Sequence, residues 1–208
     1  MVKNKSKFSR SSLGIVLSAI KGFKEPKVRV EQYMTDSEIA ATVLWDAYMK
    51  GDLKGQVSDL GCGTGILGIG SMLLGASKVY FIESESSALN IAKENVRNTR
   101  SEGLAEFFCM DVCEFDKKVD TVIMNPPFGV KNEHSDRKFL GKAFEIGKVV
   151  YSFHKSETKN FVEAFAKDNN FRITQVIDFE FPLKATMKFH RKKIKKINVS
   201  CFRFSKQN

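Results

Sequence analysis

The strongest constraint on this chain is an alternation of short apolar strands and helical stretches that begins at Gln56. Val57 to Leu60 reads as a strand, Ile66 to Leu74 as a helix, and Lys78 to Glu83 contains a second strand. Ser87 to Arg97 follows as a helix with Leu89, Ile91, Ala92 and Val96 inward. Glu106 to Met110, Val119 to Met124 and Val149 to Phe153 are further strands; Phe161, Phe165 and Ala166 mark a late helix. Phe171 to Phe181 and Lys195 to Phe204 read as a closing strand pair. Strands this apolar, joined by helices and short connections, must be covered on both faces. The expectation is an α/β fold: a mostly parallel seven-stranded sheet with helices on both faces. A length of 208 residues fits a single domain, 1–208.

Residues 1–52 precede the alternation and read as an N-terminal helical extension. Lys3, Lys5, Lys7 and Arg10 ahead of Leu13 to Ile20 imitate a secretory leader, but the apolar run is short and Lys21-Gly22-Phe23 replaces a small-residue cleavage site. Leu13, Val16, Leu17 and Ile20 fall on one helical face, with Ser12 as a cap. Gly22 to Tyr33 reads as a linker, and Thr35 to Glu38 as a capping box, with Thr35 at the cap of a helix carrying Ile39, Val43, Leu44 and Ala47. No apolar run approaches the roughly 20 residues that cross a bilayer, so no membrane role is expected. Four scattered cysteines (Cys62, Cys109, Cys113 and Cys201) suit reduced thiols and a cytoplasmic protein, and no second pair or nearby histidine completes a zinc site around Cys109 and Cys113. Thirty-four Lys and Arg against 24 Asp and Glu give a net charge of +10, which favours a polyanionic partner.

The turn after the first strand is Asp59-Leu60-Gly61-Cys62-Gly63-Thr64-Gly65. Glycines there let a backbone approach a ligand closely, and the helix beyond offers unpaired N–H groups. Ile66 stands where a dinucleotide loop needs glycine, and no Gly-Lys-Ser/Thr follows, so neither the dinucleotide fingerprint nor a phosphate loop fits. Glu83 closes the next strand about 20 residues on, where a carboxylate can accept both hydroxyls of a ribose. Asp111-Val112 follows the third strand and can hold an adenine amino group beside an apolar wall. The loop resembles motif I of S-adenosyl-L-methionine-dependent methyltransferases with a Rossmann-like class I sheet. That resemblance places the cofactor against Asp59, Gly61, Gly63, Thr64 and Ile66, with Glu83 at the ribose and Asp111 and Val112 at the adenine. Glu85 is a rival ribose ligand or an ordinary helix N-terminal acid.

Asn125-Pro126-Pro127-Phe128 follows the fourth strand. Asn125 precedes a proline and is held extended, and two successive prolines stiffen the exit and present carbonyls without N–H groups. The tetrad resembles motif IV of amino-group methyltransferases, which act on planar nitrogens of adenine, cytosine or glutamine. An exocyclic amine is a poor nucleophile because its lone pair is delocalised. The Asn125 side-chain oxygen and the Pro126 carbonyl can each accept one N–H, and Phe128 can stack on the base. Alignment against an activated methyl then carries much of the rate, with no metal and no strong general base. His134, His154 and His190 are accordingly expected at the surface or against RNA.

Wider features resemble the archaeal and eukaryotic ribosomal RNA adenine N6-methyltransferase family that includes methyltransferase-like protein five. They are Pro26-Lys27, Glu31 to Thr35, the run from Asn125 through Phe139-Leu140, Val150 to Ser156, and Lys188 to Lys193. The resemblance runs from about Phe23 to Phe204 and implies N6-methylation of an adenosine in small-subunit ribosomal RNA. It also implies that Gln32 and Thr35 reach over the cofactor, and that a small zinc-binding activator protein pairs with an exposed sheet edge. Glu83 departs from the aspartate common at the ribose position, and Met34 from a frequent proline. No acidic residue follows Glu180, while Lys188, His190, Arg191, Lys192 and Lys193 cluster as an expected RNA-backbone track. The target adenosine must be unpaired or flipped to reach Phe128. The competing readings are a glutamine N5-methyltransferase acting on a release factor, an adenine N6-methyltransferase acting on another nucleic acid, and a non-catalytic RNA-binding module.

Overall fold

The computed structural model describes residues 8–23, 34–127, 135–183 and 195–207. Two helices come first, α1 (Arg10–Ser18) and α2 (Ser37–Lys50), followed by β1 (Gln56–Leu60), α3 (Ile66–Leu73), β2 (Lys78–Glu83), α4 (Ser86–Asn98) and β3 (Ala105–Cys109). The second half runs β4 (Val119–Met124), α5 (Ser135–Ile146), β5 (Gly147–Lys155), α6 (Lys159–Asp168), β6 (Phe171–Leu183) and β7 (Lys195–Lys206). All seven strands form one sheet in the order β3-β2-β1-β4-β5-β7-β6. The first five are parallel, and β7 pairs antiparallel with both β5 and β6. The expected mostly parallel sheet is therefore present, with α5 as an added helix that the sequence pattern had not delimited.

Period-two alternation explains why both faces are apolar. Val57, Val79, Phe81, Ile123, Tyr151 and Phe153 pack with α1, α2, α3 and α4 in one core. Leu60, Ile82, Val122, Met124, Val150, Phe202 and Phe204 pack with α5 and α6 in the other. Each strand alternates between two cores, as a sheet covered on both sides requires.

Local signals at the N-terminal helices differ from the expected caps. Ser9, not Ser12, caps α1, and Ser12 reciprocates from the third helical position in a capping box. Leu13 and Leu17 are buried, whereas Val16 is exposed and Ile20 only partly covered, so the apolar face is narrower than its four residues suggested. At α2 the cap is Asp36, one residue after Thr35; its Oδ1 accepts from Glu38 N at 2.9 Å and Ile39 N at 3.3 Å. A carboxylate in that position reaches the free N–H groups, which releases the Thr35 hydroxyl for another partner. Beyond α2, Asp52 accepts a two-pronged bond from Arg203 (Nε 2.8 Å, Nη2 3.1 Å) and a third from Tyr151 Oη at 2.7 Å. This cluster ties the helical segment to β5 and β7.

Candidate active site

Strand order decides where a ligand can sit. The chain leaves β1 towards β2 and β3, then returns to place β4 on the other flank of β1. Connections diverge on either side of the β1/β4 junction, and the crevice beyond the carboxyl ends there is where open α/β sheets bind ligands. Asp59 pairs with Ile123, so the glycine loop leaving β1 and the Asn125 segment leaving β4 emerge side by side. Two sequence-distant motifs thus share one crevice.

The glycine loop is held from several sides. Gly61 has φ +68°, and a Cβ there would stand 2.8 Å from Phe139 of α5. Gly63 has φ +53°, and a Cβ would meet the Phe23 ring at 3.0 Å. At both positions the backbone is left-handed and crowded, so only glycine fits. Glu83, at the end of β2, accepts from Gly63 N at 2.9 Å through Oε2 and from Glu85 N at 2.9 Å through Oε1. Met110 N donates to Glu83 O at 3.2 Å, which draws the chain after β3 towards the same point. Asp59 is 2% exposed and accepts from Gly68 N at 2.8 Å, giving α3 the side-chain cap that its own Gly65 lacks. Burial pushes the Asp59 carboxyl up to about 7, against the lowering effect of the Gly68 bond, and the nearby Glu83 charge adds to the rise.

Thr64 and Ile66 are buried within the loop and first turn, and Thr64 O accepts from Asn95 Nδ2 at 2.9 Å. Asp111 is exposed and uses Oδ1 to accept from Cys113 N at 2.8 Å, while Val112 turns into the core below α5. Glu85 opens α4 and takes a bond from Ser87 Oγ at 3.1 Å, the arrangement of a helix N-terminal acid. Two buried or partly buried groups near the loop were missed in the sequence. Asn95, 3% exposed on the inner face of α4, accepts from Lys21 N and donates to Lys21 O, each at 3.0 Å, besides its bond to Thr64. Its position three residues after Ala92 on the apolar stripe was the available signal. Phe139 was named only within the run that carries the resemblance; with α5 not delimited, its place against the glycine loop was not read.

On the β4 side, Asn125 Nδ2 donates to Thr35 Oγ1 at 3.0 Å. Asn125 Oδ1 is buried and has no hydrogen-bond partner among the described residues. A buried acceptor without a donor is costly, and such groups mark places completed by a ligand or water. Pro126 and Pro127 follow and bring no N–H towards it. Phe128, Gln32 and the Lys188, His190, Arg191, Lys192 and Lys193 cluster lie outside the described residues, as do His134 and most of the 22–33 linker.

His154 corrects the expectation for the histidines. It is 2% exposed, with Nε2 2.7 Å from Ser152 Oγ and its ring edge-on to Phe202. Alternation along β5 puts it on the face of Val150 and Ser152, beneath α5 and α6, so it cannot meet RNA at the surface. Burial pushes its ring down to about 3. Cys62 and Cys201 are buried thiols, and Cys109 and Cys113 are exposed ones. No described helix is long and apolar enough to cross a membrane.

A 3-2-1-4-5-7-6 sheet with a glycine loop leaving β1, an acid ending β2 and Asn-Pro-Pro leaving β4 defines a Rossmann-like class I methyltransferase. The family model for the methyltransferase small domain matches residues 35–145, and the chain belongs to that family. It is 36% identical over 197 residues to the rRNA N(6)-adenosine-methyltransferase METTL5 of Danio rerio, covering 91% of this chain and 95% of that protein. The corresponding Mettl5 of Drosophila melanogaster is 35% identical over 196 residues, covering 90% and 92%. Among solved structures, a candidate RNA methyltransferase of Pyrococcus horikoshii, PH1948, is 43% identical with a TM-score of 0.88, covering 96% of this chain and 98% of that one.

Proposed function

We propose that this protein transfers a methyl group from S-adenosyl-L-methionine to N6 of an adenosine in small-subunit ribosomal RNA. The observation that carries the reading is the buried Asn125 Oδ1, without a partner among the described residues, beside the glycine loop. Similarity to the METTL5 proteins over most of the chain supports RNA, and adenine within it, as the acceptor. The residues present suit the cofactor. Glu83 Oε2 accepts from Gly63 N, and Oε1 from Glu85 N and, at 3.4 Å, from Ser84 Oγ; a carboxylate has about four acceptor sites, so capacity remains for a ribose hydroxyl. Asp59, Gly61, Gly63, Thr64 and Ile66 would line the amino-acid side of that ligand, and Asp111 and Val112 its adenine. When bound, the cofactor supplies a sulfonium-activated methyl group.

Asn125 Oδ1 then accepts one N–H of the target amine and the Pro126 carbonyl the other, drawing the nitrogen towards tetrahedral geometry with its lone pair free. Phe128, by the family pattern, stacks on the base, while Gln32 and Thr35 lie towards the cofactor. After transfer the nitrogen gives up its proton to solvent, so the chain needs only to orient the amine. Residues 1–208 form one catalytic domain in this reading, with 1–52 as its helical extension. The Lys188 to Lys193 cluster follows the RNA backbone. A small zinc-binding activator would pair with an exposed sheet edge, and the protein would act in the cytoplasm.

The test is methyl transfer to purified small-subunit ribosomal RNA, read as nucleosides by mass spectrometry. N6-methyladenosine formed by the parent and about 10²-fold less by Asn125→Ala, with cofactor affinity unchanged, is the expected result. Transfer to a release-factor glutamine instead of RNA would replace this reading.

A further inference from the structure

The proposed reaction needs the Oδ1 end of the Asn125 amide, and not Nδ2, to be left for the amine. A primary amide is nearly symmetrical in shape, and its two orientations differ only in which end donates. With the oxygen towards the crevice the site accepts from an amine; with the nitrogen there, two donors face each other and the amine is rejected. Thr35 meets this amide from the other side. It is 4% exposed, stands one residue before the Asp36 cap of α2, and its Oγ1 lies 3.0 Å from Asn125 Nδ2. Because Asp36 caps the helix, the Thr35 hydroxyl is not needed there.

We propose that Thr35 is a positioning residue of the transfer step: its hydroxyl accepts from Asn125 Nδ2 and so holds Oδ1 towards the target amine. The inference rests on the function proposed above and adds a part to it. A hydroxyl can accept from Nδ2 or donate to Oδ1; here it accepts, and that pairing leaves Oδ1 buried and without a partner among the described residues, so the protein bears the cost of a buried acceptor before substrate arrives. Thr35 thus links the N-terminal helices to the chemistry at the end of β4.

Thr35→Val keeps the shape and removes the hydroxyl, Thr35→Ser keeps the hydroxyl, and Thr35→Ala serves as a second deletion. Val and Ala should lower kcat on ribosomal RNA at saturating cofactor by about tenfold, the loss of one hydrogen bond of roughly 1.4 kcal/mol, beyond any change in cofactor Kd. Ser should restore kcat to near the parent value. In ¹⁵N spectra the Asn125 side-chain NH₂ should exchange with water slowly in the parent and the Ser variant and faster in Val and Ala. Unchanged kcat with unchanged exchange in both deletion variants overturns the proposal. A changed cofactor Kd with unaltered kcat also overturns it, assigning Thr35 to the cofactor alone. If the parent methylates no RNA but the exchange pattern holds, the proposed function fails while the orientation of the amide stands.

Discussion

Glu83 carries two tasks on one side chain. Its oxygens bind Gly63 N and Glu85 N, and the same carboxylate is the proposed ribose acceptor. The extra methylene over aspartate, which looked like a departure in the sequence, lets the carboxylate lie against the glycine loop. Glu83→Ala should therefore weaken cofactor binding by roughly 1.5–3 kcal/mol, the range for hydrogen bonds to charged groups, as read by calorimetric titration. Unchanged affinity would pass the ribose role to Glu85. Residue identity was legible in the sequence at Glu83 and Asn125 because each ends a strand beside a turn of unusual composition. At Thr35 the resemblance implied a place over the cofactor and the local context a helix cap, but neither pointed to its partner Asn125, 90 residues away.

Among the elements, α4 is the one whose role exceeds its amphipathic pattern. Leu89, Ala92 and Val96 bury it against the sheet, and Asn95 then uses both ends of its amide to fasten Lys21 and the glycine loop. Asn95→Ala strands the Lys21 N–H and O and the Thr64 O without partners. It should cost about 1–3 kcal/mol in denaturant unfolding and weaken cofactor binding through the loosened loop. Asn95→Asp should do no better, since it keeps the acceptor for Lys21 N but turns a carboxylate towards two carbonyls. Equal stability of the alanine variant and the parent would show that this clamp carries no load. Ile91 was expected inward and is only partly covered, while Asn95 takes the buried place. Hydrophobic periodicity locates the inner stripe to within a residue but does not say which polar group on it is satisfied.

At the scale of the whole molecule, two buried titratable groups give stability a dependence on pH. Asp59 ionises near 3.8 when exposed and near 7 in the fold, so below about 3.8 both states are protonated and its contribution is intact. That contribution is lost as pH rises from about 4 through 7, where only the unfolded chain gives up the proton readily. His154 has the opposite sign: its ring moves from 6.5 when exposed to about 3 in the fold. Its contribution is full above 6.5 and is lost as pH falls from there towards 3. Denaturant midpoints of the cofactor-free protein should thus lose their decline between about pH 4 and 7 in Asp59→Asn, and part of their acid decline in His154→Gln. Parent-like profiles in both variants would show that neither group is desolvated as its burial implies.

The +10 charge belongs to the same scale. Changing Arg191, Lys192 and Lys193 together to Gln should flatten the salt dependence of RNA binding by about 0.7–0.9 log units per lost phosphate contact. Cofactor affinity should not change. An unaltered slope would make the cluster an ordinary solvated face.

The sequence by itself determined the elements and the chemistry available at their ends. Strand and helix follow from periods of two and 3.6 in apolar residues, and the loops from glycine and proline backbone preferences, all of which act over a few positions. Those local rules brought out the β1 glycine loop, the acid after β2 and Asn-Pro-Pro after β4. Tertiary structure alone decided that β4 lies beside β1, that Thr35 pairs with Asn125, and that Asn95 holds Lys21 to the loop. Each of these joins residues far apart in the chain, where the partner is chosen by packing of whole layers and by the need to satisfy buried polar groups, and no local preference encodes that choice.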